Sequence, residues 1–248
     1  MRIKGALHVH SSLSHDGTMT ISELVDWYKA RGYDFIAIGE HSEDLDDRKA
    51  RLLVEAAAEY SHGQFLVIPG IEFSCDGGIH IFGMGVTGPI NSVDSVAVAR
   101  EICNRDGVAI LAHPRRLDWR FAADLLRAVD AAEIWNVAYD GKYLPLSRAL
   151  GAFRRMQQAN PRLLAVPGHD LHRKRSFYDV GIEMELPELS SDRVLRNLRE
   201  GAYTIRSRFF RVDSQVRLSW SRAASISFMS WHLNNLRKAR DFLLRWCS

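Results

Sequence analysis

The chain has 248 residues, 46% of them hydrophobic and 25% charged, an ordinary composition for one large α/β domain or one domain with a small addition. No apolar run is long enough to span a bilayer, and the opening MRIKGALHVH lacks the apolar core of a signal peptide, so a cytoplasmic protein is expected. Cys75, Cys103 and Cys247 are far apart and odd in number, which excludes a disulfide framework and a CxxC metal site. The net charge of +3 is unevenly spread. Residues 196–248 carry eleven Lys and Arg against Glu200, Asp213 and Asp241, about +8, which leaves about −5 on the first 195. A solvated helical surface is the commoner meaning of such a run, and an anionic partner such as nucleic acid is the other.

In chain order the first apolar run is IKGALHV (3–9), followed by a helical pattern over 21–32 with Ile21, Leu24, Val25 and Tyr28 on one face and a stop at Gly32. Thr20 or Ser22 is its expected cap, with Glu23 in the first turn. Strand-length runs follow at 35–40, 65–73, 80–86, 108–113, 131–136, 163–170 and 181–186. Helical spacing fills 46–63, 91–107, 118–130, 145–160 and 190–201 between them. Strand alternating with helix predicts a mainly parallel sheet, and either a closed barrel or an open doubly wound sheet suits this length. From 225 to 246 the pattern becomes that of an amphipathic helix, through Met229, Leu233, Leu236, Ala239, Leu243 and Trp246. It is expected to pack on the main domain or on a second subunit.

Functional residues of α/β barrels and sheets project from the C-terminal ends of strands. Here strand after strand meets a metal-ligating residue type at or near its end: His8 and His10, Glu40 and His41, Glu72, His80, His113, then His169, Asp170 and His172. Alternation along a strand turns His8 and His10 to the same side. A lone histidine is more often a satisfied core or loop residue, and that reading is kept for His62 and His232. So many strand ends at one rim point instead to metal. Imidazole with carboxylate and no thiolate suits Zn²⁺, Mn²⁺ or Fe²⁺. The ligands are too numerous for one ion, so two or three divalent ions are expected. Ions about 3.5–4 Å apart clamp the attacking and leaving oxygens of phosphoryl transfer and lower the pKa of bound water.

In this pattern the sequence resembles the PHP (polymerase and histidinol phosphatase) domain family. The matching elements are His8-Val9-His10, Asp16 in SHDG, His41 in GEH, Glu72, His80, His113 in AHP and Asp170-Leu171-His172, all in order between residue 3 and about residue 206. The resemblance implies a distorted (β/α)7 TIM-like barrel over residues 1–206, with 207–248 as a C-terminal helical extension packed on it. It implies a di- or trinuclear site at the C-terminal rim. One metal would be held by His8, His10, Glu72 and Asp170, a second by Glu72, His80 and His113, and a third by Asp16, His41 and His172. A bridging water or hydroxide would attack phosphorus. Two positions depart from the family: Glu40 replaces an aspartate beside His41, and His169 replaces a serine before Asp170. Glu40 is expected to orient His41, and His169 to support the ligands from behind. His15 adjoins Asp16 and could exchange roles with it.

Cations near the rim are the expected substrate contacts. Arg115 and Arg116 follow His113-Pro114, and Arg173, Lys174 and Arg175 follow His172. Arg206 and Arg208 come next, while Trp135, Asn136 and Tyr139 could shape the pocket. The expected activity is hydrolysis of a small phosphomonoester, with Glu72, Asp170 and His172 as catalytic residues and Asp170 or a metal-bound water protonating the leaving group. A nuclease acting on nucleotides or short oligonucleotides is the rival, supported by the basic C-terminal segment. A non-catalytic binding module is a rival of another class, against which stands the unbroken ligand series. Hydrolysis of C–N bonds ranks below both, because no lysine sits at a predicted strand end to bridge metals.

Overall fold

In this computed structural model, residues 1–140, 144–219, 221–222, 224–226, 228–229 and 232 are described. The apolar runs are strands close to their expected bounds. β1 (Arg2–Val9) is followed by α1 (Ile21–Lys29), β2 (Phe35–Ile38), β3 (Glu40–His41) and α2 (Asp47–Tyr60). Next come β4 (Leu66–Ile68), β5 (Gly70–Cys75), β6 (Ile79–Met84), α3 (Ser95–Asn104), β7 (Val108–Leu111), α4 (Ala123–Ala128) and β8 (Ala131–Asn136). α5 (Ser147–Ala159), β9 (Leu164–Gly168), β10 (Val180–Glu185), α6 (Ser191–Glu200), β11 (Thr204–Ser207) and β12 (Arg211–Asp213) complete the order. Thr20 caps α1: its hydroxyl accepts from the Glu23 amide at 3.2 Å, and the Glu23 carboxylate accepts from the Thr20 amide at 2.9 Å. Such a box is worth about 1 kcal/mol to the helix.

Among the described residues the strands form two six-stranded sheets, in the orders β12-β11-β10-β1-β2-β4 and β3-β5-β6-β7-β8-β9. Two expected strands change sheets midway. The run from Phe35 to His41 pairs with β1 and β4 up to Ile38 and with β5 from Glu40 onward; the run from Leu66 to Cys75 does the same on either side of Pro69. The sheets also meet where the end of β9 runs beside β1. There the His169 and Asp170 amides donate to the Leu7 and His8 carbonyls at 2.9 and 2.7 Å, and the His10 amide donates to the Leu171 carbonyl at 3.1 Å.

A mainly parallel sheet is not what forms. β1–β2, β2–β4, β3–β5, β7–β8 and β8–β9 are parallel, but β5–β6, β6–β7, β1–β10, β10–β11 and β11–β12 are antiparallel. For β5–β6 the reason is local. Only Asp76, Gly77 and Gly78 join the strands, far short of the dozen residues that a parallel crossover needs. Gly77 and Gly78, at φ +72° and +71°, adopt the left-handed backbone that a tight hairpin demands.

Alternate residues of the strands feed two apolar clusters. Leu7, Phe35 and Ala37 pack inward with Ile68, Phe82 and Ile110, while Ala6, Val9, Ile36 and Ile38 face Leu24, Val25 and Tyr28 of α1. Both faces of β2 are thus buried, which accounts for its unbroken apolar run. Packing continues past residue 206: β12 extends the first sheet, and Phe210, Val212 and Val216 join the inner cluster. A boundary drawn at residue 206 therefore cuts a paired hairpin. The amphipathic helix expected over 225–246 falls mostly outside the described residues. No helix among the described residues is long and apolar enough to cross a membrane.

Candidate metal centre

Glu72, buried on β5, is the hub of the rim. His113 Nε2 lies 2.7 Å and His80 Nδ1 2.8 Å from its Oε1; His41 Nδ1, His8 Nε2 and His10 Nε2 lie 3.0, 3.3 and 3.6 Å from its Oε2. Asp170 Oδ1 sits 3.4 Å from His10 Nε2 and 3.6 Å from His172 Nδ1. Asp16 closes the outer edge, 3.1 Å from His172 Nε2 and 3.4 Å from His41 Nε2. All nine residues expected as ligands therefore gather in one place. Three groups have ligand atoms within 4.8 Å of one another: His8, His10 and Glu72; Glu72, His80 and His113; and His10, His41 and His172. Glu72 is common to the first two, and His10 to the first and third.

The backbone reaches this arrangement by irregular means. His8, His113 and Asp170 have φ of +60°, +29° and +47°, in or near the left-handed region that costs a side-chain-bearing residue about 1–3 kcal/mol. Pairing between β1 and β2 shifts register between Ala6 and Val9, so His8 sits on a bulge rather than in regular alternation. His8 and His10 still face one site, but the bulge, and the end of β9 beside it, decide how. Phe82 stacks under the His8 ring, with centroids 5.1 Å apart, and forms the apolar floor.

Two supporting residues, Glu133 and Gly168, carry no signal in an isolated strand pattern. Glu133 is buried on β8, and its Oε1 lies 2.7 Å from His8 Nδ1. Its Oε2 accepts from the His113 amide and from Asn136 Nδ2, each at 2.7 Å. Asn136 Nδ2 also reaches Asp170 Oδ2 at 3.4 Å, so one amide joins Glu133 to the rim carboxylate. Gly168 makes room for Glu133: a Cβ there would stand 2.2 Å from the Glu133 carboxylate oxygen. Glu40 accepts from the Ser11 amide at 3.0 Å and from the Ser14 hydroxyl, and the Ser14 oxygen accepts from the His41 amide at 3.1 Å. Glu40 thus acts on His41 through Ser14. By fixing the His8 tautomer, Glu133 leaves Nε2 as the free electron pair, and Glu133→Gln is expected to weaken divalent-metal binding about 10–100-fold. Titration of the metal-free protein with Mn²⁺ checks this; wild-type affinity in the variant would count against the role.

Other expected residues lie elsewhere. His15 is exposed and pairs with Asp44 at 2.7 Å, outside the cluster. Trp135 is wholly buried against Phe210 as core. Arg206 is not at the rim; from its place opposite Gly181 its side chain turns to Glu183, beside Arg2 and Arg211. Arg115 follows His113 and is 3.6 Å from buried Asp140, whose carboxyl burial pushes up to about 6. Arg116 and Arg173 are exposed on the loops after His113 and Asp170.

His169 turns away from the rim. Tyr28 donates its hydroxyl to His169 Nδ1 at 2.7 Å, and His169 Nε2–H donates to the Val180 carbonyl. Burial holds this neutral ring down to about 4 from its ordinary 6.5. The unfolded chain takes up a proton below pH 6.5 and the folded protein only near 4, so the contribution is full above 6.5 and is lost as pH falls toward 4. The expected loss is about 3 kcal/mol, at 1.36 kcal/mol per unit. Urea unfolding of metal-free wild type and His169→Gln from pH 7 to 4 tests it: the difference between the two must shrink as pH falls, and a constant difference would refute the assignment.

The rim is electrostatically poised for cations. Although burial opposes it, Glu133 and Glu72 raise the His8 pKa well above its ordinary value, and Glu72 and Asp16 raise His41 to about 9 against the same penalty. Burial and the neighbouring His10 lower His172. Burial would raise Glu72 and Asp170, but the surrounding imidazoles hold both well below the carboxylate range. Buried His8 Nε2, both nitrogens of His10, His41 Nδ1, His172 Nε2 and Glu72 Oε2 have no aligned hydrogen-bond partner. They are close together without pointing at one another. An orphaned buried polar atom costs about 1–3 kcal/mol, and several facing one space fit a shared cation. The donor set, imidazole and carboxylate without thiolate, fits Zn²⁺, Mn²⁺ or Fe²⁺.

No family model matches the sequence, and no curated protein matches it. Solved structures do resemble it. A two-domain protein from Bacteroides vulgatus containing a predicted PHP-like metal-dependent phosphoesterase superposes with a TM-score of 0.63 at 17% identity, over 84% of this chain and 65% of that one. PsfC from Pseudomonas syringae gives 0.59 at 15% identity over 96% and 98%. The lesion-specific endonuclease PfuEndoQ from Pyrococcus furiosus gives 0.56 at 14% identity over 83% and 58%. The chain thus spans just under two thirds of the Bacteroides protein and somewhat more than half of the endonuclease. The fold of this chain is that of the PHP-like metal-dependent phosphoesterases.

Proposed function

We propose that this chain is a hydrolase of phosphoric esters that removes phosphate from a small phosphomonoester with the help of two or three divalent ions, Zn, Mn or Fe. The observation that carries the reading is one buried carboxylate, Glu72, with five imidazole nitrogens within 3.6 Å of it. The proposed ligand sets are His8, His10, Glu72 and Asp170; Glu72, His80 and His113; and Asp16, His41 and His172. The two sheets, joined by strands that pass from one to the other, are read as a distorted (β/α)7 barrel whose catalytic unit includes the β11–β12 hairpin. A cytoplasmic location is part of the same reading.

When bound, the ions supply Lewis acidity, which lowers the pKa of water and neutralises charge on the phosphoryl oxygens. The chain's own residues do the rest. Asp170, with Oδ1 3.4 Å from His10 Nε2, is proposed to pass a proton from the attacking water to the leaving oxygen. Asn136 steadies Asp170 Oδ2 at 3.4 Å, and Glu133 steadies His8. Arg115, Arg116 and Arg173 border the rim and are proposed to grip the phosphate, because a planar guanidinium can bond two phosphate oxygens at once. Tyr139, with its ring 5.3 Å from His113, bounds the same side.

The test is phosphate release by Mn²⁺-loaded protein over sugar phosphates, amino-alcohol phosphates, nucleotides and short oligonucleotides. Release concentrated on one monoester class is the expected result. No release from any ester by folded, metal-loaded protein would sink the reading in favour of a binding module. Likeness to an endonuclease and the basic segment after residue 196 favour a second reading, a nuclease or nucleotide phosphatase. Cleavage of oligonucleotides with steep salt dependence would select it over the first.

A further inference from the structure

The basic segment has an outlet that the metal centre does not use. Arg2 on β1, Arg206 on β11 and Arg211 on β12 all bond the carboxylate of Glu183, which stands on β10 between them. The Glu183 side chain is 5% exposed, while the three arginine side chains are 54%, 47% and 50% exposed. One guanidinium would neutralise this carboxylate. Three leave an excess of +2 around a single buried anchor. Each guanidinium carries five N–H donors, and Glu183 takes one from each, so most of the fork remains for another acceptor.

These residues line an open cleft of about 490 Å³, shared with Lys4 and Asp34. The cleft carries four cations against two carboxylates, and Lys4 already pairs with Asp179 at 2.5 Å. Glu183 faces Lys4 in register, four residues before His8, which is about 13 Å along the strand at 3.3 Å per residue. The cleft is therefore separate from the metal centre and lies at the other end of β1.

We propose that Arg2, Arg206 and Arg211 form a second, non-catalytic anion site that takes a phosphate group. Glu183 is its scaffold: it holds three forks toward one point and offsets part of their mutual repulsion. Two sources share this chemistry, a small phosphorylated molecule and the backbone of a nucleic-acid strand. The site stands independently of the reaction at the metal centre.

Calorimetric titration of inorganic phosphate into metal-loaded wild type, Arg2→Gln and Arg211→Gln tests the proposal, since each variant leaves two guanidiniums on Glu183. Wild type should show a phosphate equivalent that each variant binds at least fivefold more weakly, with phosphate release at the metal centre unchanged. Identical phosphate titrations in all three proteins would overturn it, because a clamp joining four strands predicts lower melting temperatures and no phosphate dependence. A 12-nucleotide oligothymidylate separates the sources. Tighter binding than phosphate, with a salt slope lower by about one per arginine removed, selects the nucleic-acid backbone; binding no tighter than phosphate selects the small molecule. Should a variant fail to fold, a tungstate soak of wild-type crystals decides: density between the three guanidiniums supports the site, and its absence there refutes it.

Discussion

Glu72→Gln is expected to strip the protein of bound divalent metal and to lower phosphate release by about 10³-fold or more. The charge that five imidazoles surround disappears, and an amide group replaces one of the two oxygens that join separate ligand groups. The glutamine NH₂ turns a donor toward nitrogens that a metal needs as electron-pair donors. Lewis-acid stabilisation worth several kcal/mol is lost with the ions, and each 1.36 kcal/mol is a factor of ten in rate. The metal-free protein should respond as well, because Glu72 helps to hold up the pKa values of His8 and His41. NMR titration of the imidazoles would show both moving down. Elemental analysis and phosphate release on one preparation check the main claim; a variant with wild-type metal content and rate would falsify the central position given to Glu72.

Asp170→Asn should act differently, lowering the rate about 10²–10⁴-fold while leaving the Glu72, His80 and His113 group able to bind metal. Asparagine keeps the shape of aspartate but can neither accept a proton from water nor balance His10 and His172. Rates for both proteins at saturating Mn²⁺, with metal content measured in parallel, separate the proton-transfer role from a ligand role. Equal rates would remove Asp170 from the chemistry. Complete loss of metal from all groups would make it a ligand first.

The site was legible to the extent that its residues ended apolar runs. HxH, GEH, the Glu72 in IPGIEF, AHP and DLH each follow a strand-length apolar segment, and period-two burial can be read without tertiary information. His169 shows the limit. Asp170 and His172, just after it, face the rim, yet a bond from Tyr28 and the Val180 carbonyl hold His169 in an aromatic pocket under α1. Arg206 shows it again, since β11 runs the same way as β1 and only a contact with Glu183 on the neighbouring strand takes the guanidinium away from the rim. Glu133 lay in the middle of a predicted strand, where a buried carboxylate has no local mark. Its partners are 125 residues away at His8 and 20 away at His113.

What the sequence determined by itself is the alternation of elements, the identity of the ligand types and their arrival at strand ends, because these depend on local spacing and on the donor chemistry of each side chain. What only the tertiary structure decided is direction and support. It set which strands run antiparallel, where two strands pass from one sheet to the other, which carboxylate orients which imidazole, and where three arginines meet on Glu183. Those outcomes depend on contacts between residues far apart in the chain, and no local period carries them.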